Sequence, residues 1–153
     1  FHQAKDVIGY ARTPAGWSIE SGQRKAAKGE TAGARRKKDS YFRTFQRLKA
    51  HEELFVRLQT RKYQAVAHFG SDARKPIEAI GEIHAKMLAA SGNLSRYYKP
   101  DGDLPESWDD WEKTIGWLRE DTEGKPQPDD IALQLQGIVE EADKFYGQWL
   151  MRT

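Results

Sequence analysis

The chain has no cysteine. Disulfide frameworks, thiolate-bound zinc or iron–sulfur centres and cysteine nucleophiles are therefore excluded, and the redox compartment stays open. No run of about 18 apolar residues occurs, so no segment is long enough to cross a bilayer as a helix. A Gly-rich phosphate loop, a serine nucleophile elbow and an alternating apolar strand pattern are also missing. His51-Glu52-Glu53-Leu54-Phe55 lacks the second histidine of a zinc-protease helix, and no Glu-x-x-His pair of the di-iron bundle kind is present. These absences lead to the expectation of no enzymatic activity, no cofactor and no metal site.

Aromatic residues, by contrast, are plentiful. Five Trp, six Tyr and six Phe in 153 residues supply more aromatic area than disordered chains carry. With 38% hydrophobic and 31% charged residues, the composition suits one helical domain with narrow buried stripes and wide solvated faces. The formal net charge of +2 hides an asymmetry. Residues 23–49 carry ten basic side chains against Glu30 and Asp39, a net +8, whereas residues 100–153 carry fourteen acidic against five basic, a net −9.

Helical spacing organises most of the chain. Phe1, Ala4, Ile8 and Ala11 form an apolar stripe with no capping residue before it, as expected of a chain that enters already inside a helix and belongs to something longer. Residues 12–34 then read as a Pro- and Gly-containing loop, with Trp17 and Ile19 pinned against the helices. Arg35 to Phe69 lacks Gly and Pro and predicts one long helix, stopped at Gly70-Ser71-Asp72. Pro76 fits only the first turn of the next helix, whose apolar face is Ile77, Ile80, His84, Met87, Leu88 and Leu94. Trp108, Trp111, Ile115 and Leu118 mark a short helix from about Pro105 to Arg119. The last helix, Asp129 to Met151, repeats Ile131, Leu135, Ile138, Ala142, Phe145 and Trp149 in steps of four and three. The fold class that follows is all-α: an antiparallel helical bundle of three main helices, plus a short Trp-bearing helix and an N-terminal helical stub. The organisation is a stub and loop over 1–34 and a bundle domain over 35–153. Leu48, Phe55, Leu58, Ile80, Met87, Ile138, Phe145 and Trp149 are expected in one core.

Three features carry candidate chemistry. Glu52 and His84 fall on or near apolar stripes, so a buried Glu–His pair is a possible enzymatic or metal site, the weakest of three readings, because the histidines of the two long helices stand at different heights. The tryptophans read as filling between unequal helices rather than as a ligand pocket. Arg35-Arg36-Lys37-Lys38, followed by Tyr41 and Phe42, opposes the helix dipole at the start of a helix and so calls for a counter-anion. That anion is an anionic membrane surface, a nucleic acid bound through residues 24–49, or the acidic C-terminal half of the same chain; the membrane surface is preferred over nucleic acid.

Ser40-Tyr41-Phe42-Arg43, His51-Glu52-Glu53-Leu54-Phe55, Arg61-Lys62-Tyr63, His68-Phe69-Gly70, Pro76-Ile77, Tyr97-Tyr98, Trp111-Glu112-Lys113, Ile115-Gly116-Trp117 and Asp129-Asp130-Ile131, with the upstream Arg12-Thr13-Pro14-Ala15-Gly16-Trp17, resemble a group of uncharacterised bacterial proteins. Members of that group place a hydrophobic anchor before a helical domain and have no assigned activity. The resemblance implies a membrane-tethered domain on the cytoplasmic face and transfers no functional residue. The expectation is thus a non-enzymatic interaction or scaffolding domain whose partner is a protein or an anionic membrane surface. Nucleic-acid binding is the runner-up. Oligomeric state is not legible.

Overall fold

The structure is a computed structural model that describes residues 1–13, 24–100, 102–116, 124–125 and 129–150, with the backbone alone for 148–150. The expectations for Trp17, Ile19, Trp117, Leu118 and the Trp149 side chain lie outside the described residues. Six α-helices and one 3-10 turn make up the described elements, with no strand among them. The all-α class holds.

Helix α1, His2–Ala11, buries Ala4, Val7, Ile8 and Ala11, so it belongs to the main core. The carbonyls at its C-terminal end accept from residues just past the helix, Ile8 from the Arg12 N–H and Tyr10 from the Thr13 N–H, and Arg47 adds bonds to the carbonyls of Tyr10 at 3.2 Å and Thr13 at 2.8 Å. Arg12, just past the helix, is buried and ion-paired with Asp129 at 2.7 Å. These two arginines tie α1 to the rest of the molecule.

Helix α2, Ala32–Ala50, begins where the Thr31 side chain accepts from the Ala34 N–H at 3.2 Å. The single helix expected over 35–69 is two. It breaks at His51, whose φ of −112° and ψ of 17° leave the helical region, and Glu52–Phe69 continues as α3. No Gly or Pro marks the site. Gly70, at φ 88°, ends α3 in a conformation that a side chain would resist, and one 3-10 turn, Ser71–Arg74, leads into α4, Lys75–Tyr97, with Pro76 in its first turn.

Helix α4 is the hub, packed against α2, α3, α5 and α6. The core around it has two parts. One joins α1, α2, α3, α4 and α6 through Ile8, Leu48, Phe55, Ile80, Met87 and Leu135, with Leu58 and Ile138 half-buried at its edge. The other gathers Tyr41, Leu94, Trp108 and Ile115 where α5, Trp108–Thr114, crosses α4. On α6, Asp130–Leu150, the buried stripe is Ile131, Leu135, Val139 and Ala142. Phe145 is half-buried and outside both parts of the core. Paths from Ile131 to Ala142 through Val139 or through Ile138 have the same mean spacing, so helical period alone does not choose between them; Val139 is buried and Ile138 half-buried at the edge of the core.

Candidate functional site: the groove between α3 and α4

The basic segment is largely engaged within the chain. Arg24 donates to Glu30 at 2.6 Å and to Asp39 at 2.7 Å, and Lys38 reaches Glu30 at 3.2 Å. Arg35 lies 3.7 Å from Asp39, and Lys37 lies 3.7 Å from Glu112 in the acidic half of the chain. The Glu30 carboxylate is only 3% exposed. Its hydrogen bond from Arg24, with Lys38 beside it, holds its pKa below the ordinary carboxylate value. Arg36 alone of the four stands exposed with no ion-pair partner among the described residues. Part of the local positive charge therefore holds the loop before α2 against the helix.

A second polar contact joins distant segments. The fully buried Tyr41 donates its hydroxyl to Glu112, and its ring meets those of Trp108 at 5.8 Å and Tyr98 at 6.3 Å. Burial first, then the carboxylate, raises the Tyr41 pKa, so the hydroxyl stays protonated as a donor. The tryptophans of α5 thus fill space around a satisfied polar pair.

A groove lies elsewhere. Among its described residues α3 buries Phe55 alone, and it leaves Val56 and Tyr63 exposed at 57% and 74%. Residues 52, 55, 56, 59, 60 and 63 are spaced along one stripe of α3, and 78, 81, 82, 85 and 88 along the facing stripe of α4. Between them runs a groove of about 910 Å³. At its middle, Gly81 leaves room for the Gln59 amide, which a Cβ there would meet and which donates to the Ile77 carbonyl at 3.1 Å. At its lower end, Lys62 pairs with Glu78 at 3.3 Å.

Glu52 and His84 line the upper end without forming a pair. Glu52 accepts from Lys49 at 2.6 Å and is about half exposed. The His84 ring stacks on Phe55, with centroids 3.7 Å apart and planes at 12°. Its Nε2 is buried with no hydrogen-bond partner among the described residues. Burial lowers the His84 pKa, against the smaller opposing effects of the Glu52 charge and the Leu48 backbone. An unsatisfied buried polar atom costs roughly 1–3 kcal/mol.

No group of three His, Asp or Glu side chains suited to a metal ion occurs among the described residues. No helix among them is long and apolar enough to cross a membrane. Comparison with protein-family models, with curated proteins and with solved structures finds no match for this chain. The functional reading accordingly rests on geometry. Glu52 and His84 could be singled out in the sequence from their helical positions; Val56, Tyr63 and Gly81 were missed. Spacing distinguishes apolar from polar faces, but it does not say which apolar face will lack a neighbour.

Proposed function

We propose that this chain is a non-enzymatic interaction domain and that the α3–α4 groove is its docking surface. The observation that carries the reading is the groove between α3 and α4, with Val56 and Tyr63 of α3 standing in solvent along it. Residues 52 to 63 extend about 16 Å along the helix axis, three turns, which suits a short helical segment laid in the groove. An anchor outside these residues and a cytoplasmic-face location, implied by resemblance to the bacterial group, complete the proposal; a tethered domain with one docking groove would serve as a scaffold.

The test is a selection of random 12-residue peptides displayed on phage, taken in parallel on the wild type and on Tyr63→Asp. The substitution lies at an exposed position, where effects on stability stay within about 0.5 kcal/mol, so both proteins should fold alike. Peptides enriched on the wild type and not on Tyr63→Asp support docking. Identical enrichment on both, or none, removes it.

A further inference from the structure

A smaller pocket, of about 350 Å³, lies between α2 and the C-terminal part of α4 and shares no lining residue with the α3–α4 groove. On α2 it is walled by Lys38, Phe42 and Phe45, spaced along one stripe, and Gly92, Ser95 and Arg96 face them from α4. Arg24 closes a further side, because its bonds to Glu30 and Asp39 fasten the segment before α2 to the helix. The rings of Phe42 and Phe45 stack with centroids 5.7 Å apart and planes at 16°, and they belong to neither part of the core. They give the pocket an apolar wall. Ser95 gives it a polar floor: the residue is 8% exposed, and its hydroxyl has no hydrogen-bond partner among the described residues. Ser91, one turn earlier, returns its hydroxyl to the Met87 carbonyl at 2.7 Å in the usual way of a helical serine; Ser95 makes no such bond. The charge around this floor is positive. No acidic residue lines the pocket. Arg24, Arg35 and Lys38 share the two carboxylates of Glu30 and Asp39, which leaves one cation in surplus, and Arg96 is exposed, 6.0 Å from the centre of the Tyr97 ring and without an ion pair among the described residues.

We infer that the α2–α4 pocket binds a small apolar acid, its body against Phe42 and Phe45 and its carboxylate accepting from the Ser95 hydroxyl and the Arg96 guanidinium, with Lys38 beside it. A neutral apolar molecule would fill the wall and leave the surplus charge without a partner, and a bare inorganic anion would leave the two rings uncovered. A small acid answers the wall, the hydroxyl and the charge together, and its bond from Arg96 is of the stronger, charge-assisted kind. The site is separate from the docking groove and goes beyond that reading.

The probe is cinnamate, compared with the neutral cinnamamide by chemical-shift titration of the backbone N–H groups of the whole chain. On the wild type, saturable shifts should centre on Phe42, Phe45, Gly92 and Ser95, and cinnamate should bind about tenfold tighter than cinnamamide, the worth of one charge-assisted hydrogen bond. Arg96→Gln, at an exposed position, should remove most of that preference. Ser95→Ala should weaken cinnamate about fivefold, as the loss of an ordinary hydrogen bond does. Gly92→Leu blocks the space: a Cβ at Gly92 meets only Phe45, at 3.9 Å, so the longer side chain extends over the ring and should abolish binding without lowering Tm. If circular dichroism shows Gly92→Leu misfolded, the Arg96→Gln and Ser95→Ala comparisons decide. Equal affinity for cinnamate and cinnamamide, or a preference that survives Arg96→Gln, would overturn the inference. So would undiminished cinnamate binding in Ser95→Ala or in folded Gly92→Leu, which places the acid elsewhere, and so would a lack of saturable shifts at millimolar cinnamate. The Tyr63→Asp selection bears on the α3–α4 groove alone, so the two readings fail separately.

Discussion

Replacing Phe55 by Ala removes a ring that serves two structures at once. It is 4% exposed, belongs to the main core, and forms the lower face of the stack under His84. A fully enclosed Phe→Ala change costs roughly 3–5 kcal/mol. Here the groove lies alongside, so water can enter the space left by the ring and hydrate Nε2 of His84, which places the expected cost near the lower limit, about 3 kcal/mol. For a domain of this size each kcal/mol moves the midpoint by about 2–4 °C, and the expected fall in Tm is about 6–12 °C. A second readout follows from the cause of the His84 shift. Burial is the main reason its pKa lies below 6.5, so exposing the ring should move it back up toward that value. Thermal denaturation followed by circular dichroism gives the first quantity, and an NMR titration of the His84 ring protons gives the second. Phe145→Ala is the control, since Phe145 is half-buried and outside the core; about 1 kcal/mol is expected. If Phe55→Ala left Tm within ~2 °C of wild type and His84 titrating where it did before, the reasoning about this joint between core and groove would be wrong.

Two further predictions concern charge. Because the folded-state pKa of His84 is lowered, its neutral form is the one that suits the fold: there is no penalty well above pH 6.5, and as pH falls through that value the unfolded chain takes up a proton that the folded chain resists. Glu52 and Lys49 act on the ring in opposite directions. The urea midpoint should therefore drop more between pH 7.5 and 5.5 in wild type than in His84→Phe, and parallel losses would count against a buried neutral ring. Arg24→Gln should cost about 2 kcal/mol in urea denaturation, less than the ~3–5 kcal/mol of a buried charge left with no partner, because Lys38 stays beside Glu30. The Glu30 contribution is present above the ordinary carboxylate pKa of 4.5 and lost as pH falls through its lowered value, so an acid limb of stability unchanged by Arg24→Gln would contradict the assignment.

Much of the backbone plan was legible because it is written in local signals. Gly70 stops α3, Pro76 sits in the first turn of α4, and the apolar spacing of Ile77, Ile80 and Met87 marks the face that α4 buries. The break at His51 was not legible. The sequence around His51 has neither Gly nor Pro; the break is accompanied by a local bond, the His51 N–H donating to the Leu48 carbonyl at 3.2 Å, and by the complete burial of the Leu48 side chain in the core. The same limit applies to the polar contacts. Tyr41 to Glu112 and Arg12 to Asp129 join residues far apart in the chain, and no periodicity encodes which carboxylate meets which donor. The basic run was visible as charge, but its partners Glu30, Asp39 and Glu112 could be assigned only once the chain before α2 and the helix α5 were placed.

The break at His51 and the groove have one geometric origin. Helices α2 and α3 have 19 and 18 residues and, if collinear, would make a rod of about 56 Å, whereas α4 has 23 residues and is about 35 Å long. A straight rod returning through the short turn at Gly70 could pack on α4 over little more than half its length. The chain instead bends, which lets α2 bury six residues along the C-terminal part of α4 and α1, while α3 runs beside the N-terminal part and buries Phe55 alone. Val56 and Tyr63 of α3 stay exposed although α4 runs alongside them across the groove. Beneath these residues the His84 ring stacks on Phe55, the one buried residue among those described on α3, with its Nε2 buried and without a partner among the described residues. A single change in helix direction thus accounts both for the burial that α2 achieves and for the groove that α3 leaves open beside α4.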